Sequence, residues 1–137
     1  MAQTQPKQPK MLGPVAALRL FTDNLKSTRT FYEKQLGLEV ILSDNEVVVY
    51  DLYGIDLVIE LVDSSDENAE ALLGSFSGIS CHVEDCLATY NALKEKGVEF
   101  LDTPAEEPWG GILAHFFDPS GNVLSLVEYP DDSANKS

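Results

Sequence analysis

Positive charge is scarce in this chain: 9 lysines and arginines stand against 23 aspartates and glutamates, a formal charge of −14 over 137 residues. A surface of that sign repels phosphate backbones and anionic headgroups, which argues against nucleic acid or a membrane as partner. Cysteine is nearly absent. Cys81 and Cys86 are the 2 present, with no CxxC motif and no four-ligand zinc spacing, and they read as buried, reduced thiols. No apolar run approaches the length of a membrane span. Met1 to Pro14 carries Lys, Gln and Pro without an apolar stretch, so it does not read as a signal peptide, and the expected location is the cytoplasm. Nucleophile elbow, phosphate loop and dinucleotide fingerprint are all missing.

What is present suffices for a core. The hydrophobic fraction of 44% with 9% aromatics supports one globular domain, or two small modules sharing one core. Residues 1–13 read as a floppy tail and 130–137 as a polar one. Between them the alternation of apolar residues predicts a strand over 15–21. A helix capped by Asn24 and ended by Gly37 follows, then strands over 38–42, 47–52 and 55–62. After an acidic, Ala/Ser-rich linker over 64–77, with one short helix near 67–73, the order restarts. A strand over 79–83, a helix from Asp85 to Lys96, and a strand over 98–101 lead to a hairpin. In that hairpin Asp118-Pro119-Ser120-Gly121 is a type I turn between strands over 112–117 and 122–128.

The restart is an internal repeat. Gly37-Leu38-Glu39-Val40 recurs sixty residues later as Gly97-Val98-Glu99-Phe100, and Glu60-Leu61-Val62-Asp63 as Ser125-Leu126-Val127-Glu128. Neither half can bury its helix-free sheet face alone, so the two sheets are expected to face a shared cleft.

Three stretches, Asn24 to Gly37, Val83 to Gly97 and Phe117 to Asn122 (FDPSGN), occur in order on this repeat. With them the chain from Val15 to Tyr129 resembles the vicinal oxygen chelate superfamily, which includes glyoxalase I, bleomycin-resistance proteins and extradiol dioxygenases. The resemblance implies an α+β fold: two tandem βαβββ modules, 14–63 and 78–129, whose curved mixed sheets enclose a ligand cleft. It also suggests a homodimer. The enzymes of that superfamily hold a divalent metal with His, Gln or Glu side chains. The corresponding positions here are Ala17, Gly78, Ser125 and Glu60. Ala and Gly have no donor atom, and a neutral Ser hydroxyl is a poor ligand for such metals, so no cofactor is expected.

Strand alternation places Arg19 and Phe21 on the same face as Ala17, and Ser80 and His82 on that of Gly78. His115, with Leu113 and Phe117, joins Glu60 and Ser125 as a candidate lining residue. The register of the third strand, and with it the face of Tyr50, is not fixed by the sequence. Each candidate carries two readings. Arg19 either pairs with Glu60 in a salt bridge or binds an oxyanion through its planar fork. His82 and His115 are hydrogen-bonded wall residues, or with Glu60 an acid–base set. Trp109, ahead of Gly110-Gly111, is a ligand platform or a cap on the core edge.

The preferred reading is a binding module that takes an amphipathic small molecule in a metal-free cleft. The alternative is a glyoxalase-like lyase or isomerase, metal-assisted or working through His82, His115 and Glu60. A purely structural domain with a collapsed cleft is the third.

Overall fold

The computed structural model describes residues 11–63 and 65–131. Most of both expected tails (1–10 and 132–137) lies outside the described residues. The first module runs β1 (Ala17–Thr22), α1 (Leu25–Arg29), a π-helical turn (Thr30–Gln35), β2 (Glu39–Ser43), β3 (Val47–Leu52) and β4 (Ile55–Leu61). A short helix α2 (Ala69–Leu72) leads to the second module. This comprises β5 (Phe76–His82), α3 (Cys86–Glu95), β6 (Ala105–Glu106), β7 (Ile112–Phe117) and β8 (Val123–Glu128). Each module makes a four-stranded mixed sheet, ordered β1-β4-β3-β2 and β5-β8-β7-β6, with the first strand parallel to its neighbour and the others antiparallel. The βαβββ repeat expected from sequence is the repeat observed.

Local chemistry explains the helix starts. Asn24 Oδ1 accepts from the Ser27 N–H at 3.1 Å, and Asp85 Oδ1 from the Ala88 N–H at 3.0 Å. Each such cap is worth about 1 kcal/mol. The N–H of Cys86 donates to Glu128 Oε1 at 2.8 Å, tying the start of α3 to the end of β8. The first helix departs from expectation in its second half, where Leu36 N–H bonds to Phe31 O. The wider turn leaves the consecutive residues Phe31 and Tyr32 both buried.

Alternating residues of both sheets face the helices. Leu20, Val48, Tyr50, Leu57 and Ile59 from the first sheet, and Ala114, Phe116, Leu124 and Leu126 from the second, form one core with Phe31, Tyr32, Cys86 and Val98. Burying each large aliphatic side chain contributes roughly 1.5–3 kcal/mol. Tyr50 therefore faces the helix and not the cleft. Its ring stacks on Tyr32 at 5.6 Å, and its hydroxyl donates to Glu33 Oε2 at 2.9 Å.

The modules are joined by polar bonds as well as apolar contact. The turn at Asp118 forms as expected, with Gly121 N–H bonded to Asp118 O at 3.0 Å. The buried Asp118 carboxylate accepts from the Ser120 N–H and the Asn122 N–H, each at 2.9 Å, and from Tyr32 Oη at 2.8 Å. Asn122 Nδ2 donates to Asp118 Oδ2 at 2.9 Å and to the Phe21 carbonyl at 3.0 Å. Thr22 Oγ1 lies 2.7 Å from Ser120 Oγ and accepts from Thr28 Oγ1 at 2.7 Å. A buried carboxylate survives because donors surround it.

The sixth strand differs from the expected 98–101. Only one bridge, Phe100 to Phe116, forms there, and regular pairing with β7 begins at Ala105. The cause is Asp102. Its side chain replaces a main-chain acceptor for the His115 N–H at 2.9 Å, and Pro104 has no N–H to offer. The fifth strand, expected over 79–83, begins earlier at Phe76.

Candidate functional site

The faces turned away from the helices carry the candidate residues. On the second sheet they form three rows across β5, β8 and β7. Ser80, Ser125 and His115 are partners in the middle row. Phe76, Val123 and Phe117 flank it on one side, and His82, Val127 and Leu113 on the other. A polar stripe thus lies between two largely apolar ones. Ser125, on the central strand, is 2% exposed.

Asp102 orients His115. Its Oδ2 lies 2.9 Å from His115 Nδ1, while its Oδ1 takes the main-chain N–H of the same residue. An ionised carboxylate only accepts, so Nδ1 carries a proton, and in the neutral ring Nε2 is left as an acceptor. The imidazole ring lies 6.0 Å from that of Phe76, a residue of the neighbouring row.

At the end of β8 a second aromatic group forms. His82 stacks on Tyr129 at 5.4 Å, and Trp109 lies 6.1 Å from Tyr129. A Cβ on Gly111 would fall within the Trp109 ring, so it is the glycine that lets the ring lie against the backbone there. Trp109 itself is half exposed.

On the first sheet, Arg19 is ion-paired with Glu60, both side chains partly open to solvent. The guanidinium also lies over the Phe21 ring, 5.5 Å from its centre. Arg19 and Phe21 line a pocket of about 220 Å³ with Phe76, Ser75, Leu72 and Asn122, so the edge strands β1 and β5 border one cavity under α2.

The expected metal positions do not make a donor set. Ala17 is level with Asp56, four residues from Glu60, and Glu60 is occupied by Arg19. Gly78 lies where the β5–β8 register shifts, at φ +77, a conformation that favours glycine, so its place follows from backbone geometry. No group of three His, Cys, Asp or Glu side chains converges among the described residues. Neither thiol is a ready nucleophile: burial pushes Cys81 up, and burial followed by the carboxylates of Glu128, Asp85 and Asp102 pushes Cys86 up.

The structure thus brings His115, Ser125 and Ser80 together, and Arg19, Phe21 and Glu60 together. His82 stands in a different row from His115, beside Trp109 and Tyr129. Sequence reasoning missed four residues: Asp102, Phe76, Asn122 and Tyr129. Tyr129 was within reach, as it continues the alternation of Val123, Ser125 and Val127. Asp102 was not, because a loop side chain taking a ladder position leaves no periodic signal.

A family model described as the Glyoxalase/Bleomycin resistance protein/Dioxygenase superfamily matches residues 13–126. YraH of Bacillus subtilis (strain 168), described only as an uncharacterized protein, is 29% identical over 121 residues, covering 81% of this chain and 94% of YraH. The crystal structure of a superfamily member from Sphaerobacter thermophilus DSM 20745 is 30% identical. Its TM-score is 0.69, over 87% of this chain and 99% of that one. TnmS3, an antibiotic binding protein from Streptomyces sp. CB03234, is 25% identical, with a TM-score of 0.70 over 90% of this chain and 100% of its own.

Proposed function

Because the chain belongs to the glyoxalase/bleomycin resistance protein/dioxygenase superfamily, we propose that it binds an amphipathic organic molecule on the open sheet faces without a metal held by its own side chains. The observation that carries this reading is the donor set. Ala17, Gly78 and Ser125 stand at three of the four positions expected to hold a metal, and the fourth, Glu60, is neutralised by Arg19. Aromatic surface from Phe21, Phe76, Trp109 and Tyr129 supplies contact area, and Arg19, Ser80, Ser125 and His115 supply orientation, the usual division of labour in a small-molecule site. TnmS3, an antibiotic binding protein of the same fold, supports the reading.

A thermal-shift screen of amphipathic aromatic compounds, run with and without chelator, tests it. The expected result is stabilisation by a subset of compounds, unchanged by chelator. Stoichiometric zinc, nickel or manganese retained through purification, with binding lost on its removal, overturns it.

A further inference from the structure

Resting on the binding reading above, we infer that the His115–Ser125 pair is a recognition point for a phenolic or enolic hydroxyl. The ligand class is therefore a flat hydroxyaromatic or enol rather than a neutral hydrocarbon. Three observations meet at this point. Asp102 holds His115 through both its main-chain N–H and its ring Nδ1, at 2.9 Å each, so ring orientation and tautomer are set together. The ring's other nitrogen has no hydrogen-bond partner among the described residues and in the neutral ring is an acceptor. It lies in a side chain that is 22% exposed.

Ser125, the direct cross-strand partner of His115, is 2% exposed. A serine hydroxyl both donates and accepts, so a ligand oxygen arriving at the stripe can accept from it. The ligand's hydroxyl donates to His115 Nε2, and its oxygen accepts from Ser125 Oγ. The rings then lie on the apolar rows to either side, with Phe76 at one flank. Asp102 is a positioning residue here: it touches His115 and not the ligand.

Naphthol and its methyl ether separate the terms, since they share their rings and only the first donates a hydrogen bond. Titrated by calorimetry into the full chain at about pH 8, naphthol binds roughly tenfold more tightly, the worth of one good hydrogen bond. His115→Ala and Asp102→Asn each erase that preference, so that within each variant the two probes bind equally. A long-range proton–nitrogen NMR spectrum shows the Nδ1–H tautomer at His115 in the wild type and its loss in Asp102→Asn, a change that a merely structural role does not produce. Should Asp102→Asn fail to fold, the wild-type tautomer and the His115→Ala titration decide. Equal affinity for both probes, with resonances of Ser125 and His115 shifting, overturns the inference and leaves the binding reading standing. The Nε2–H tautomer in the wild type also overturns it. If neither probe binds the open face, both fall.

Discussion

The hydroxyl of Tyr32, on the helix of the first module, donates to Asp118 Oδ2 in the hairpin turn of the second at 2.8 Å, and both groups are buried. Together with Asn122, this bond fixes how β8 stands against β1. The recognition surface inherits its geometry from it, because Asn122 also lines the pocket beside Arg19 and Phe21.

Tyr32→Phe removes the donor and leaves a buried carboxylate short of one partner. The expected loss is about 1.5–3 kcal/mol, the range for hydrogen bonds to charged groups. In urea titrations the midpoint falls with an unchanged slope. An unchanged midpoint refutes the role given to this bond.

Alkaline pH acts on the same residue. Burial, and then the Asp118 carboxylate, raise the Tyr32 hydroxyl well above its ordinary value. Burial, and then Glu33, raise that of Tyr50. Both groups are thus harder to ionise folded than unfolded. Their stabilisation is fully present below the unfolded value of about 10 and is lost as pH rises from there through the folded values. Of the 5 tyrosines, these two develop phenolate absorbance only as the chain unfolds. Tyr50→Phe makes the alkaline decline shallower, as chemical denaturation at a series of pH values measures.

Much of this was legible in the sequence, and the reason is periodicity. Leu18 and Leu20 against Arg19 and Phe21, or Leu124 and Leu126 against Ser125, assign faces by alternation alone, and the repeat supplies the pairing of modules. The Asp118 turn was legible because its chemistry is local. What escaped was non-periodic. The β5 irregularity at Gly78 breaks the count along the strand that placed Gly78 level with Ser80 and His82, and Asp102 enters the ladder through a side chain. The face of Tyr50 depended on a hairpin register that its own strand does not encode.

The Arg19–Glu60 pair is open to solvent, so a double-mutant cycle with Arg19→Ala and Glu60→Ala is expected to give a coupling below about 1 kcal/mol. The variants differ instead in binding. Arg19→Ala weakens aromatic ligands in the screen, through loss of the cation stacked on Phe21 and lining the pocket. A large coupling with unchanged binding assigns the pair to stability alone.

Gly111→Ala sets a Cβ inside the Trp109 ring. The ring is half exposed and has room to swing out, so the melting temperature changes little while the single tryptophan reports the move. A red shift in emission, with loss of near-ultraviolet circular dichroism, is expected. An unchanged spectrum refutes the packing of Trp109 on Gly111.

The interruption at Asp102 reaches beyond ligand recognition. A sheet that ends in a long regular strand offers its outermost main chain as a template for further strands, and such edges seed aggregation. In the second sheet the outer strand is cut to two residues, and a carboxylate stands where the ladder would have continued. The first sheet meets the same hazard at β2, where Ile41 and Leu42 are more than half exposed, with a register shift between Val40 and Leu42. The β2 and β6 margins are therefore poor templates for a further strand, which leaves β1 and β5 as the regular edges of the two sheets.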